Sequence, residues 1–448
     1  MKLSMAAARA LVFVIASFLA GCVLWLSSAP ASAQTLPPGC SVSGLFGTGN
    51  GSVTCSGVTA TCSFNAITAV ETCNFSGACT GTVTVSGSGL LTNSLSCGTA
   101  LQTAAATVQN ASRVSLAVVQ AQLTSIRDSI QNGGSTRGKP LGYAEEESDR
   151  ALGYTDPKSP RRAANPLYMK AKAPQKGPEP WLVATWAQGF GDFETRSGTL
   201  NGVDIGRVTR TDGGVAGIDV TIPHLFVSTD AWVVGLLGGD TESTVHNNDG
   251  SSAHVRGPGV GIYSVYVNGG FSEDSVFKVD FFDLDSTDTV GNTTPLRLVN
   301  SSSATNLNYK LMNGNGPSWV EPTVGASYTN TRWDSASLAM GLTNGEQWRV
   351  QAGVRVGTLF MWSGAQVEPT LAALAYDDVS IVGGTLVSAV TPVAPSDQGK
   401  VFGQLIGKMN FDWGNGFSDY VEGEVRGREN VLGLAARVGA RYVFNNPK

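Results

Sequence analysis

The chain has 448 residues, of which 55 are Gly, and only 15 % are charged, against a usual figure of roughly 25 %. That combination, with a formal charge of −5, excludes a coiled coil, a charge-rich disordered chain and a basic nucleic-acid binder. Three His, and seven Cys of which six lie within 58 residues, argue against a zinc enzyme.

Residues 1–33 read as a secretory signal. Lys2 and Arg9 form a positive start, Ala10–Leu26 an apolar run, and Ala31-Ser32-Ala33 a small-residue cleavage site. A second reading takes Leu19-Ala20-Gly21-Cys22 as a lipoprotein box with Cys22 acylated. Either way the chain leaves a bacterial cytoplasm.

Residues 34–99 carry one charge, Glu71, and six cysteines: Cys40, Cys55, Cys62, Cys73, Cys79 and Cys97. A piece this small cannot build a sufficient core, so an exported set of even number predicts a disulfide-rich module. Fifteen pairings are open. Alternating Val, Thr, Ser and Gly, as in Thr82-Val83-Thr84-Val85, predict short strands and turns.

Residues 100–133 hold one helical pattern, Thr103–Gln131. Leu116, Val119, Leu123, Ile126 and Ile130 recur at steps of three and four before Asn132-Gly133 ends it. At 1.5 Å per residue it would cross a membrane-sized pore; packing on the cysteine module is the other reading. Residues 134–180, with nine basic groups, six acidic groups and seven prolines, read as a solvated linker. Its run Lys158, Arg161, Arg162, Lys170, Lys172 and Lys176 could also meet the phosphates of anionic lipid or lipopolysaccharide.

Residues 181–448 carry a net charge of −10 and alternate with period 2. In Val431–Phe444, Leu432, Leu434, Val438, Tyr442 and Phe444 fall on one face; Gly433, Arg437, Gly439 and Arg441 fall on the other. Val350, Val354 and Val356 likewise oppose Arg349 and Arg355, and Val421 and Val425 oppose Glu422 and Glu424. Val320 and Val324 oppose Glu321, and Val367 and Leu371 oppose Glu368. A strand between lipid and a polar lumen needs this division, because an Arg or Lys facing mid-bilayer costs ~2–4 kcal/mol. The eight charges Glu321, Arg349, Arg355, Glu368, Glu422, Glu424, Arg437 and Arg441 are therefore assigned to the lumen, either paired with one another or lining a solvated channel.

Twelve such segments begin near Trp181, Thr209, Ala231, Gly259, Ser275, Ala304, Trp319, Trp348, Gln366, Lys400, Phe417 and Val431. Short Gly/Asn turns alternate with polar stretches read as external loops, near Asp240–Val255, Asp285–Ser303, Asn330–Gln347 and Asp378–Gly399. The expected fold is all-β: a twelve-stranded antiparallel transmembrane β-barrel, preceded by the cysteine module and one long helix.

Trp186-Ala187-Gln188-Gly189-Phe190-Gly191, Gly214–Asp219, Val320-Glu321-Pro322, Gly353-Val354-Arg355 and Gly439–Phe444 recur in this order. Together they resemble the translocator domain of classical autotransporters, over about Trp181–Phe444. The resemblance implies an outer-membrane barrel that presents or translocates an N-terminal passenger. It also implies that Tyr442 and Phe444 form the signal read by the barrel-assembly machinery. Family members usually end on the terminal aromatic, whereas Asn445–Lys448 follow here, and the passenger is short and Cys-rich.

No catalytic, cofactor or metal site is expected. There is no Gly-x-Ser-x-Gly elbow and no His pair spaced four apart. His246 and His254 fall in a predicted external loop, and Asp283, Asp285 and Asp288 in a solvated one. The sequence thus predicts a non-enzymatic outer-membrane protein. Its partners would be outer-membrane lipid, lipopolysaccharide, the assembly machinery and a host or neighbouring-cell surface ligand, with no nucleic acid. The rival is a structural or small-solute channel whose N-terminal module stays periplasmic.

Overall fold

A computed structural model describes residues 107–133, 181–198, 206–288, 291–313, 316–338, 342–382 and 399–444 with their side chains. It gives the backbone alone for the short strands between 40 and 97 and for 99–106, 199–200, 203–204, 339 and 383. Residues 1–33 with Cys22, read above as a signal, residues 134–180, read as a linker, Asn445–Lys448 and most of the polar stretch before Gly399 lie outside the described residues.

One helix, α1 (Thr99–Gln131), is followed by twelve long strands. They are β1 (Leu182–Arg196), β2 (Arg207–Pro223), β3 (Asp230–Asn247), β4 (Ser252–Asn268), β5 (Phe271–Thr287) and β6 (Thr293–Tyr309). Then come β7 (Ser318–Trp333), β8 (Gly345–Thr358), β9 (Ala365–Gly383), β10 (Phe402–Asp412), β11 (Phe417–Arg428) and β12 (Val431–Val443). Each pairs antiparallel with the next, and β12 returns to β1 with Val431 opposite Arg196 and Val443 opposite Ala184. The sheet is a closed barrel. Upstream, seven short strands between Cys40 and Cys97 form a sheet of their own.

The barrel wall is inverted relative to a soluble protein. Ile218, Leu236, Ile262, Val324, Leu371, Val421 and Val438 are 49–60 % exposed, whereas Asp219, Asp274, Lys278, Glu321 and Glu368 are at most 2 % exposed. Water would penalise both halves of that arrangement; a hydrocarbon surround rewards the first and demands the second. Among the described residues no helix is long and apolar enough to cross a membrane; the exposed apolar rows lie on the strands.

Three strands start earlier than the alternation predicts: β4 at Ser252, β5 at Phe271 and β6 at Thr293. Two stretches expected as external loops, Asp240–Val255 and Asp285–Ser303, are thus mostly strand, joined by 248–251 and 288–292. The cause is a reversal of faces along the wall. In β5, Phe277 and Phe281 point outward and Lys278 and Asp280 inward, but one turn of the pleat later Phe282 and Leu284 are buried inside. Asp283 now faces out, bonded at 3.1 Å to Arg297, both largely exposed. At this end the wall stands clear of lipid and meets water, so apolar residues turn inward as in a soluble sheet. Val367 is a second departure: it is 1 % exposed, lying in register between Phe360 and Phe411 rather than on the open lipid face.

Helix α1 begins four residues before the expected Thr103 and spans 33 residues, about 50 Å. Its Ala, Ser, Thr and Val residues keep it narrow. It stops at Gly133, whose φ of 80° lets the last turn close through Asn132 N–H to Asp128 O.

Candidate functional site

The site is the barrel lumen with α1 inside it. Described residues of the helix are buried or half-buried on every side, and its partners come from strands all round the wall. One face is apolar: Leu116, Val119, Leu123, Ile126 and Ile130 pack on Trp186, Val215, Val233, Leu237, Tyr263, Val265 and Val276 of β1–β5. The periodic stripe thus packs on the inside of the barrel.

The other face is polar and charged, and its partners come from β1, β5, β7, β8 and β10. Arg127 and Asp128 sit side by side on α1. Arg127 donates to Glu321 at 2.8 Å and to Asp274 at 3.2 Å. Arg355 bridges wall and helix, 2.7 Å from Glu321 and 2.8 Å from Asp128. Asp128 also accepts from Asn410 at 3.2 Å. Toward the loop end, Arg113 of α1 reaches Glu194 at 2.6 Å. Gln188 and Lys408 donate to the backbone oxygens of Val118 and Ala121 at 2.8 and 2.6 Å. Buried charges are tolerated only when so matched, because removing one partner strands the other without water.

All eight charges assigned from the sequence point inward and make ion pairs. Besides Glu321 and Arg355, Arg349 grips Asp378 at 2.7 and 3.0 Å. Arg437 holds Glu422 and Glu424 at 2.5 and 2.6 Å. Arg441 reaches Asp219 at 2.6 Å, and Glu368 meets Lys310 at 3.1 Å. Sequence reasoning missed their partners Asp219, Lys310 and Asp378, and also Asp274, which meets Arg127 of the helix. On the same face of β11 as Glu422 and Glu424, Arg426 clamps both oxygens of Asp192 with two guanidinium nitrogens at 2.6 and 2.8 Å. The signal available for α1 was the adjacent pair Arg127-Asp128 in a helix otherwise nearly free of charge.

Trp186 opens a relay across four strands. Its indole N–H donates to Tyr263 Oη at 2.6 Å, Tyr263 donates to Asp219 at 3.0 Å, and Asp219 accepts from Arg441. The Trp186 ring lies over Gly217, where a Cβ would sit 2.5 Å from it, so this pairing needs glycine. A cavity of about 60 Å³ remains beside α1 between Arg113, Gln120, Arg349, Arg426 and Arg437.

The helix has a direction in the barrel. Ser112 and Arg113 lie against Asn300 and Glu194, toward the loop end of the wall. Asn132 lies against Lys310 and Gln366 at the opposite, turn end, where β1 also begins.

The Autotransporter beta-domain family matches residues 185–424, which is 240 of the 448 residues. The chain belongs to the autotransporter family. Among solved structures it is similar to the beta domain of the Bordetella autotransporter BrkA, at 18 % identity and TM-score 0.46, over 58 % of this chain and 98 % of that one. The transport unit of the autotransporter AIDA-I from Escherichia coli matches at 14 % identity and TM-score 0.44, over 63 % and 95 %. The translocator domain of autotransporter NalP from Neisseria meningitidis matches at 14 % and 0.42, over 59 % and 88 %. No curated protein matches the chain.

In this autotransporter barrel the remaining singled-out residues lie at its margins. Tyr442 and Phe444 are outward and exposed, their rings edge-to-face at 5.3 Å. His254 meets Glu242 at 2.7 Å on the outer wall of the loop end. Asp283 pairs with Arg297, and Asp288 accepts from Asn292 N–H at 2.8 Å. Among the described residues no group of three His, Cys, Asp or Glu side chains could hold a metal.

Proposed function

We propose that this chain is a non-enzymatic outer-membrane autotransporter that carries its short N-terminal module to the cell surface and holds it there on a helix seated in its own pore. The observation that carries the reading is the direction of α1. Its C-terminal end shares the turn end of the barrel with the start of β1, and its N-terminal half lies at the loop end. A chain that enters beside β1 and traverses the lumen would emerge on the loop side, with residues 34–98 beyond it. In this reading residues 1–33 are removed on export and Tyr442 and Phe444 are read by the assembly machinery. Outer-membrane lipid and lipopolysaccharide surround the barrel, and the module meets a host or neighbouring-cell surface.

The filled lumen also supports this reading over that of a solute channel, since Arg127, Asp128 and Arg355 join helix to wall where solute would pass. The test is an epitope inserted between Gln34 and Cys40 in intact cells, alongside a soluble periplasmic control. External protease should remove the epitope and spare the control. Protection of both until the outer membrane is broken would overturn surface display and leave a periplasmic module.

A further inference from the structure

The backbone between residues 40 and 97 arranges the cysteines in a way their spacing does not reveal. The strands Cys40–Ser43, Ser52–Cys55, Val58–Asn65, Val70–Gly77 and Cys79–Ser86 follow one another as a meander, which Ser96–Cys97 closes against the last of these. In their registers Cys40 is directly opposite Cys55, Cys62 opposite Cys73, and Cys79 opposite Cys97. Each cysteine thus has one cysteine as its cross-strand neighbour, and one of the fifteen pairings is singled out. Residues directly opposite in an antiparallel ladder have Cα atoms about 4.5 or 5.5 Å apart, inside the range of about 4.4–6.8 Å that a disulfide spans.

The registers also agree with one another. Cys55 lies opposite Val58, and Cys73 opposite Val83. Stepping by two along each strand then puts all six cysteines on one face, with Val53, Val58, Phe64, Phe75, Val83 and Val85. The opposite face takes Thr54, Thr59, Thr61, Thr72, Thr82 and Thr84. A one-residue slip in any ladder would move a cysteine to the Thr face and break its pair.

We propose that the module is closed by three disulfides, Cys40–Cys55, Cys62–Cys73 and Cys79–Cys97. The proposal rests on the export reading, which delivers the segment to an oxidising compartment. Each bond forms by exchange with an oxidising protein disulfide. One cysteine thiolate attacks it to give a mixed disulfide, and the opposite cysteine displaces the carrier. Two thiols of the module lose two protons and two electrons, and the carrier leaves as a dithiol. The bonds close loops of 16, 12 and 19 residues, each within its own pair of strands. The connections from Cys55 to Val58 and from Gly77 to Cys79 stay uncrosslinked, so the module is three separately clipped strand pairs in series.

The full-length protein would be recovered from outer membranes, its free thiols blocked with iodoacetamide, and digested at acid pH with a protease that cuts beside Val, Ala and Phe. Mass spectrometry should return three cross-linked peptide pairs with the partners named. Cys62→Ser should release one thiol, at Cys73, and leave the other two bonds intact. In parallel, the purified chain would be oxidised in a glutathione buffer. Any other partner set in either sample overturns the pairing. Six blocked cysteines in the membrane sample, with the named pairs in the glutathione sample, would instead overturn the export reading on which the native bonds depend.

Discussion

Replacing Arg355 with alanine tests whether the helix is held by charge. The guanidinium touches Glu321 of the wall at 2.7 Å and Asp128 of the helix at 2.8 Å. Without it, among the described residues, the cation within ion-pair distance of Asp128, Glu321 and Asp274 is Arg127, which lies 2.8 Å from Glu321, 3.2 Å from Asp274 and 3.6 Å from Asp128. Removing one member of a buried ion pair costs about 3–5 kcal/mol. The lower figure applies here, because Asn410 still donates to Asp128. With the lumen opened to water the stranded carboxylates are hydrated, so the penalty falls on the plugged state. A shift of about 3 kcal/mol corresponds to roughly a hundredfold rise in the ratio of open to plugged barrel. Single-molecule conductance of the full-length protein in planar bilayers reads that ratio as the fraction of time spent open. Arg355→Lys keeps the charge but loses the two-armed contact, and should fall between. Val354→Ala, next in sequence but 44 % exposed on the lipid face, should conduct like the parent. An Arg355→Ala protein as closed as the parent, or a Val354→Ala protein as open as Arg355→Ala, would refute the assignment.

Four further outcomes are expected. Gly217→Val puts a branched side chain into the Trp186 ring, 2.5 Å from the first added carbon. It should destabilise the barrel by ~1–3 kcal/mol, lowering the temperature at which its compact gel band is lost. Val438→Arg places a cation on the outward face at a site 56 % exposed. It should cost ~2–4 kcal/mol and reduce the folded fraction in liposome refolding, while Glu429→Arg in the exposed hairpin should not. Arg426→Ala removes the clamp on Asp192; breaking that buried pair should cost about 3–5 kcal/mol, seen as a lower midpoint in urea. Phe444→Ala, made with Tyr442→Ala, should slow appearance of the folded form in the outer membrane under pulse-chase labelling. Unchanged kinetics would remove the pair from the proposed assembly signal.

Much of the barrel was legible because lipid imposes a strict period. β12 could be read residue by residue, from Leu432 outward and Arg437 inward to Tyr442 at the rim, and β11 and β12 begin where the alternation predicts. The reading failed where the solvent outside the wall changes. At β4–β6 the outer face turns from Ile262 and Phe281 to His254 and Asp283. Alternation persists there, but its sense is reversed, and a search for apolar-outward strands ends too soon. The lumen was legible by halves. Charges on lipid-facing strands betray themselves, since their neighbours at i±1 are apolar. The partners Asp219 and Asp274 do not, because the β2–β5 half of the lumen is itself largely apolar where it receives Leu116, Val119 and Leu123. Which carboxylate meets Arg127 depends on how far α1 is inserted, and that is a long-range property no local pattern encodes.

Closure of the ring has a consequence for how the protein is made. The ladder between β1 and β12 joins Arg196 to Val431 and Ala184 to Val443, and Phe444 N–H adds a bond of 2.8 Å to Val183 O. In a chain synthesised from its N-terminus, β1 therefore waits with one edge unpaired until the final strand has been made. Such an edge is a template for addition of any foreign strand, and pairings so distant in sequence form slowly. The risk of polymerisation is greatest just before the thirteen residues of β12 arrive and ends with them. A chaperone that shields β1 during that interval would protect this protein more than one acting on any later strand. Loss of β12 would leave two complementary open edges, turning a self-satisfied monomer into a unit that can join end to end.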